Sequence, residues 1–263
     1  MSQRMPALFV GHGSPMSAIE DNEYTRKWEE VGRGLVRPKS ILSVSAHWFT
    51  DGVRVSDDPH PRMVYDMYGF PEALYQVAYP APGAPETARR AKDLIGGDVR
   101  IDDTWGLDHG TWSVLCRMFP KVDVPVFQLS VDRDATPEEH FRIGRAIGAL
   151  RDEGVLVFGS GNVVHNLGRV GWGMTGGHPW AERFDAYIKE RVVKGDHAGV
   201  LGYRAAGADA ALSVPTTDHF DPLLHVLGAS RPDDRLTVFN DTCTMGSLSM
   251  TCYLFEEQEA GSE

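Results

Sequence analysis

The segment 7–15, Ala-Leu-Phe-Val-Gly-His-Gly-Ser-Pro, joins a short apolar run directly to a histidine between two glycines. Five further apolar runs follow along the chain: Ile41–Ser45, Val124–Val131, Val155–Phe158, Leu236–Asn240 and Ser247–Phe255. Runs of this length without polar alternation are typical of strands that are buried on both faces of a parallel sheet. The last two runs contain more polar residues among the apolar ones and predict strands nearer an edge of the sheet.

Helical patterns lie between these runs. The clearest covers Pro137–Asp152, where Thr136 is the N-cap, Glu139 completes a capping box and Gly154 ends the helix. Weaker helical patterns cover four other segments: Tyr24–Leu35, Pro85–Ile95, Trp180–Val193 and Asp221–Leu227. This alternation predicts an α/β fold with a mostly parallel central sheet and helices on both faces. We expect a single catalytic domain over residues 1–263, with its core at about 6–255 and its active site at the carboxyl ends of the strands.

Composition limits the classes of partner. The chain has 263 residues, of which 42% are apolar, and its 37 acidic and 26 basic residues give a net charge of −11. Nucleic acid and an anionic membrane are therefore unfavourable partners, because both attract basic surfaces. No apolar stretch approaches the ~18 residues of a membrane span. Three scattered cysteines without a C-x-x-C motif indicate a reducing, cytoplasmic location. Whether the protein forms a homo-oligomer stays open.

Two segments predict long loops. The first, His60–Pro85, is rich in proline and in tyrosine, which argues against a central strand or a long helix. It is interpreted either as a surface loop with its own apolar cluster or as an aromatic wall over a site. The second, Gly168–His178, is rich in glycine and predicts a mobile loop.

Histidines follow three of the predicted strands. His12, His47 and His165 each come just after an apolar run, so their side chains are expected at one edge of a parallel sheet. His219 and His109 lie in turn-like surroundings that lead to the same edge. Converging neutral imidazoles suit Zn, Fe, Cu or Ni. The other histidines are interpreted as structural: His60, His140, His178, His197 and His225.

Several motifs, in one order along the chain, resemble those of the DODA-type extradiol ring-opening dioxygenases, which belong to the class III extradiol (protocatechuate 4,5-dioxygenase β-subunit-like) superfamily. The resemblance runs from about residue 6 to about residue 253. The motifs are Phe9–Met16, Ser45–Phe49, Gly69–Pro71, Tyr79–Gly83, Asp108–Gly110, Gly161–Asn166 and Met245–Ser247.

The resemblance implies roles for the five histidines. His12 and His47 correspond to two metal ligands, and His219 to the last ligand, where ring-cleaving relatives with Fe(II) carry a glutamate. His165 corresponds to the acid–base histidine and also stands within reach of the metal as a further ligand. His109 corresponds to a histidine that binds substrate or supports a ligand. The resemblance implies Fe(II) as the active metal, and an all-imidazole site also accepts Zn(II) as an occupant.

The activity implied by the resemblance is cleavage of a catechol ring by O₂ to a muconic semialdehyde-type product. The expected partners are therefore a small catechol and O₂. Two alternatives stay open at this point: a zinc-dependent hydrolase, and a non-catalytic metal-binding or signalling protein on the same fold. The sequence does not identify the catechol, since DOPA, caffeate and protocatechuate all carry the required pair of hydroxyl groups.

Overall fold

The computed structural model describes residues 3–258, and these form an α/β domain around an eight-stranded mixed sheet. In spatial order the strands are β4-β3-β5-β2-β6-β1-β10-β7. The bounds of the sheet strands are β1 Ala7–Gly11, β2 Ser40–Thr50, β3 Arg54–Val55, β4 Arg100–Ile101, β5 Val126–Asp132, β6 Val155–Gly161, β7 Asp234–Phe239 and β10 Cys252–Glu257. Two short strands, β8 (Cys243–Thr244) and β9 (Leu248–Ser249), pair separately.

The four central strands are parallel, as the sequence predicts. β2 pairs in parallel with β5 and β6, and β1 pairs in parallel with β6. On one side β10 and β7 continue the sheet in antiparallel pairing, and on the other side β3 is antiparallel to β5 and parallel to β4. The mostly parallel α/β fold class is therefore confirmed, with antiparallel pairing toward the edges.

Helices cover both faces of the sheet. Their bounds are α1 Glu23–Gly34, α2 Glu72–Tyr75, α3 Pro85–Ile95, α4 His109–Met118, α5 Pro137–Ile147, α6 Pro179–Val193, α7 His197–Leu201, α8 Ala208–Ser213 and α9 Asp221–Ala229. Short 3₁₀ segments occupy Pro15–Ala18, Gly148–Glu153, Leu167–Arg169 and Tyr203–Ala206. Among residues 3–258, no helix is both long and apolar enough to cross a membrane.

Strand β1 shows how the apolar runs of the central strands are buried. Ala7 and Phe9 belong to one core cluster, and Leu8 and Val10 belong to a second cluster. Successive side chains of a strand point to opposite faces, so both faces of β1 are packed against apolar neighbours. The residues of α5 and α9 fill the first cluster, and those of α1 and α4 fill the second.

The predicted capping box of α5 is confirmed. The Thr136 hydroxyl accepts a hydrogen bond from the Glu139 backbone N–H at 3.3 Å, and the Glu139 carboxylate accepts one from the Thr136 N–H at 2.7 Å. The α-helix ends at Ile147 instead of Asp152, because the following six residues tighten into a 3₁₀ segment. Gly154, with φ of 96°, ends that segment.

One predicted strand is wrong, and one helix was missed. The run Ser247–Phe255 is not one strand, because it forms β9 and β10 separated by two residues. Helix α4 was not predicted from the sequence. Most of its residues are buried, so it lacks the polar face from which helical periodicity is recognised.

Candidate metal centre

The five predicted site histidines come together at the carboxyl edge of the parallel strands. His12 directly follows β1, and His165 lies four residues after the end of β6. His109 is the first residue of α4, and His219 precedes α9. His47 differs from its predicted place after a strand, because β2 continues to Thr50 and His47 lies within it.

An irregularity of β2 explains how a residue inside a strand reaches the site. The pairing of β2 with β5 shifts register between Val44 and Phe49. Such a bulge redirects side chains, and bulges are frequent next to active sites. His47 lies in the shifted stretch, so its ring turns toward the histidines at the ends of the neighbouring strands.

The rings form one compact group. The His12 ring centroid lies 5.1 Å from that of His47, 5.3 Å from that of His219 and 5.9 Å from that of His109. His47 and His109 are 3.9 Å apart, and His165 stacks on His219 at 3.4 Å with nearly parallel planes. The Nε2 atoms of His12 and His47 are separated by only 3.3 Å.

Oxygen atoms fix the orientation of three of these rings. The Ser160 hydroxyl lies 2.9 Å from His12 Nδ1 and donates its own hydrogen to the Gly110 carbonyl, so it must accept a hydrogen bond from Nδ1–H. An Asp66 carboxylate oxygen lies 3.1 Å from His47 Nδ1, and Asp218 pairs with His219 Nδ1. Metal-binding histidines commonly have such an oxygen partner on the second ring nitrogen.

The opposite ring nitrogens are consequently free to bind a ligand. With the proton on Nδ1, the His12 Nε2 carries a lone pair that points toward the His47 Nε2. Within residues 3–258, the buried His219 Nε2 has no hydrogen-bond partner. A buried nitrogen without a partner is costly in a protein interior, and coordination of a cation would satisfy it. The donor set therefore fits a transition metal.

His109 is a further nitrogen donor beside this group. Its Nδ1 lies 3.0 Å from the second Asp66 oxygen, which also accepts the His109 backbone N–H at 2.9 Å. One carboxylate thus contacts both His47 and His109. Within residues 3–258, the ligand atoms of His12, His47 and His109 all lie within 4.8 Å of one another.

Asp108 holds the start of α4 and with it the position of His109. This fully buried carboxylate caps the helix by accepting the Thr111 N–H at 3.2 Å. It also accepts hydrogen bonds from the Ser45 hydroxyl at 2.6 Å and from the Gln128 amide at 2.9 Å. The charge is therefore satisfied by several donors, and the first turn of α4 is tied to strands β2 and β5.

Burial keeps four of these histidines neutral. It lowers the pKa of His47 and of His165 to about 4, with repulsion from neighbouring imidazoles adding to the effect. The pKa values of His12 and His219 lie well below the ordinary histidine value for the same reasons. Burial raises the pKa of Asp66, but hydrogen bonding and attraction to His109 outweigh it and lower that pKa overall. Neutral imidazole is the form that binds metal.

The site opens into a cavity of about 470 Å³. All five histidines line its inner end, together with Asp66. Both predicted loops contribute to its outer wall. Met67, Tyr68 and Phe70 come from the proline-rich segment, and Leu167, Val170 and Trp172 come from around the glycine-rich one. The interpretation of His60–Pro85 as a wall over a site is therefore supported.

Sequence reasoning missed the oxygen partners Ser160, Asp66 and Asp218. The only local signal was for Asp218, which adjoins His219 in the chain. Ser160 is 148 residues from His12, and no sequence pattern connects such a pair. Of the histidines interpreted as structural, His140 and His225 are buried together elsewhere, with ring centroids 4.9 Å apart.

Comparison with known proteins agrees with this geometry. The family described as "Catalytic LigB subunit of aromatic ring-opening dioxygenase" matches residues 6–255. The chain is 45% identical to "4,5-DOPA dioxygenase extradiol" of Escherichia coli K12, over 95% of this chain and 94% of that protein. It is 37% identical to "4,5-DOPA dioxygenase extradiol" of Beta vulgaris, over 94% of this chain and 95% of that protein.

A solved structure extends the comparison to the fold. The crystal structure of an uncharacterized protein from Escherichia coli K12 superimposes with a TM-score of 0.82 and 41% sequence identity, covering 95% of this chain and 99% of that one. The family match spans nearly the whole chain and includes all five site histidines. The chain therefore belongs to the LigB family of extradiol aromatic ring-opening dioxygenases.

Proposed function

We propose that this protein uses O₂ to cleave the ring of a catechol next to its two hydroxyl groups, giving a muconic semialdehyde-type product. The observation that carries the proposal is the buried histidine group, in which the Nδ1 atoms of His12, His47 and His219 each face an oxygen while Nε2 is left for a ligand. The names of the relatives from Escherichia coli and Beta vulgaris support a catechol as the substrate class.

We infer that His12, His47 and His219 hold Fe(II). When bound, Fe(II) supplies the exchange of electrons between catechol and O₂ that no protein side chain provides. His219 is preferred to His109 as the third ligand because Asp218 pairs with its Nδ1, whereas His109 shares the Asp66 carboxylate with His47. Zn(II) also suits a site of three imidazoles, but it has no redox chemistry.

His165 is the proposed acid–base group. It lines the cavity beside His219, and burial leaves its ring neutral at neutral pH, which is the form that can accept a proton from a catechol hydroxyl. Proton transfer by a positioned side chain contributes about 10²- to 10⁴-fold in rate.

His109 is proposed to orient a substrate oxygen. Its Nδ1 faces Asp66, and its ring lies 3.9 Å from that of the ligand His47, which places it beside any molecule bound at the metal. Separate His109→Ala and His219→Ala variants distinguish the two histidines. We expect the His219 variant to lose metal and the His109 variant to keep metal with a raised KM. The reverse pattern would make His109 the third ligand.

The function is tested on protein stripped of metal and reconstituted without oxygen with either Fe(II) or Zn(II). Catechol-dependent O₂ uptake and formation of a yellow semialdehyde are expected from the Fe(II) form alone. Ester hydrolysis by the Zn(II) form without O₂ uptake by either form would favour a hydrolase. Metal binding without either reaction would favour a binding or signalling protein.

A cytoplasmic location is also inferred. Its support is that Cys116, Cys243 and Cys252 are all free thiols, with two of them buried. Free buried cysteines are typical of reducing compartments. Fractionation of cells would test the location, and secretion of the protein would contradict it.

A further inference from the structure

We propose that Asp185 is a positioning residue for His165, the acid–base histidine of the proposed catechol cleavage, on which this inference rests. Asp185 lies in α6 and is only 5% exposed. Its carboxylate accepts hydrogen bonds from the Ser249 hydroxyl at 2.5 Å and from the Thr251 hydroxyl at 2.8 Å. Ser249 belongs to β9, which lies against the His165 segment, residues 162–166. The carboxylate therefore ties this segment, through β9, to a long helix of the core.

Ser249 is bonded to the His165 segment through both of its backbone groups. Its N–H donates to the Val164 carbonyl at 2.9 Å, and its carbonyl accepts a hydrogen bond from the Asn162 side-chain amide at 2.7 Å. Leu248, the residue before it, forms an isolated antiparallel bridge with His165 itself. Ser249 thus joins the buried carboxylate on its side chain to the residues just before His165 on its backbone.

A second pair of hydrogen bonds holds the other end of the His165 segment. The Asn166 N–H donates to the Ser247 carbonyl at 3.1 Å, and the Ser247 hydroxyl donates to the Asn166 carbonyl at 2.8 Å. The backbone is therefore held on both sides of His165. The ring of His165 is placed by this backbone and by its stacking on His219, whereas the four other site rings each have an oxygen atom at Nδ1. A shift of β9 would therefore move the His165 ring.

The carboxylate of Asp185 suits this role because it accepts hydrogen bonds from two hydroxyl groups at once. Burial raises its pKa, and the two hydroxyl groups oppose that rise. A buried carboxylate costs free energy unless such donors compensate. Helix α6 itself is held in the core by Phe184 and Ile188, so the carboxylate is presented from a rigid element. Removal of the carboxylate would release Ser249 from α6 and allow β9 to shift together with the His165 segment.

The turn between β8 and β9 also holds part of the cavity wall, which gives Asp185 a competing role. The Gly246 N–H donates to the Gly176 carbonyl of the glycine-rich segment at 2.9 Å, and Met245 lines the cavity. An Asp185 that acted mainly on this wall would change substrate binding, so its loss would raise KM and leave kcat nearly unchanged. Positioning of His165 instead predicts a fall of kcat with metal occupancy retained.

The first test measures kcat, KM and metal occupancy of Fe(II)-loaded variants with catechol as substrate. Asp185→Ala and Ser249→Ala both break the link to the His165 segment, and we expect each to lower kcat about 10- to 100-fold while KM and occupancy stay near the wild-type values. Asp185→Asn keeps an oxygen acceptor and should recover most of the loss. Ser249→Ala leaves the carboxylate its hydrogen bond from Thr251, so it decides the question even where Asp185→Ala fails to fold.

Thr251→Val is the matched control. It removes the other hydroxyl from the same carboxylate and leaves the contacts of Ser249 with the His165 segment in place, so it should keep most of the wild-type kcat. An equal fall of kcat in Thr251→Val and Ser249→Ala would overturn the inference. A rise of KM alone in Ser249→Ala would also overturn it, because that result assigns the link to the cavity wall.

The second test follows the His165 ring without turnover, by NMR of the Zn(II) form with isotope-labelled histidines. The signal that disappears in His165→Gln identifies this ring, and the signal of His225, buried away from the site, serves as the reference for the fold. We expect the His165 signal to shift in Asp185→Ala and in Ser249→Ala and to stay in place in Thr251→Val.

The two tests together separate this inference from the proposed function. If the Fe(II) enzyme cleaves no catechol but the His165 signal shifts as expected, the proposed function fails and the positioning role stands. If catechol is cleaved and the His165 signal stays in place in Ser249→Ala, the positioning role fails and the proposed function stands.

Discussion

Replacing Gly110 with alanine would add one methyl group beside the proposed metal ligand His47. Gly110 is the second residue of α4, and a Cβ atom there would lie 2.8 Å from His47 Cδ2 and 2.7 Å from the Ser45 hydroxyl oxygen. Ordinary contacts of this kind begin at 3.4 Å, so the His47 ring must retreat by about 0.6 Å or the helix must shift.

Neither neighbour is free to yield. The Ser45 hydroxyl donates a 2.6 Å hydrogen bond to Asp108, and that carboxylate also holds Gln128 and the first turn of α4. The His47 ring is placed by Asp66. A ligand displaced by roughly half an ångström binds metal less well, and losses of about 10- to 100-fold are typical when the support of a metal ligand is disturbed. Overpacking costs about 1–3 kcal/mol, against about 1 kcal/mol gained from the helix propensity of alanine.

We therefore expect Gly110→Ala to fold with at most a modest loss of stability, while Zn(II) affinity and Fe(II)-dependent kcat/KM fall about 10- to 100-fold. Competition with a chromogenic chelator measures the affinity, and urea unfolding measures the stability. Gly34→Ala is the matched control, because Gly34 ends α1 and a Cβ atom there meets nothing within 4 Å. Wild-type metal affinity and activity in Gly110→Ala would refute the argument that this glycine keeps the His47 ring in place.

Four further predictions test the site and the fold. His12→Ala and His47→Ala should each abolish metal binding while the fold is retained. Metal analysis and circular dichroism measure these two properties, and a variant that still binds a full complement of metal would contradict the ligand assignment. His165→Gln should lower kcat far more than metal occupancy, and an equal fall of both would make His165 chiefly a ligand. Zn(II) should inhibit turnover by the Fe(II) enzyme, because zinc binds nitrogen sites more tightly than Fe(II) but has no redox chemistry. Undiminished O₂ uptake by the zinc form would exclude a redox role for the metal. Burial and the nearby His140 lower the pKa of His225 to about 3, below the value of about 6.5 in the unfolded chain. Below about pH 6.5 the His225 ring therefore takes up a proton on unfolding, and the free energy of unfolding falls as the pH drops. Urea unfolding at several pH values should show a weaker acid loss in His225→Gln than in the wild type, and equal losses would contradict this origin.

Local physical chemistry made much of the architecture predictable. The short apolar runs of the four central strands are buried on both faces, so these parallel strands follow from the local sequence pattern. The capping box at Thr136 and Glu139 depends on residues three apart, and the structure forms it as predicted. The placement of His12 and His165 beyond the ends of strands also follows from the sequence, because the carboxyl ends of parallel strands share one edge.

The family resemblance went further than these local patterns. It selected five histidines out of ten and assigned them separate roles, and the structure brings these five, and no other histidine, to the inner end of the described cavity. For His109 and His219 the local sequence indicated only turns that lead toward this edge, and the resemblance supplied their roles. Which of these two histidines completes the ligand set remains a prediction for the variants proposed above.

The contacts that make the site chemically competent come from tertiary structure. The Ser160 hydroxyl that fixes the tautomer of His12 is 148 residues away from it, and Asp108 is 63 residues from Ser45. Helix α4 is buried so completely that its sequence lacks a polar face, and the bulge that turns His47 inward depends on pairing with β5. The apolar outer wall joins two loops about 100 residues apart in the chain. Such contacts arise only when the sheet has assembled, because a sequence records which residues are present and the packing of distant strands decides which of them meet.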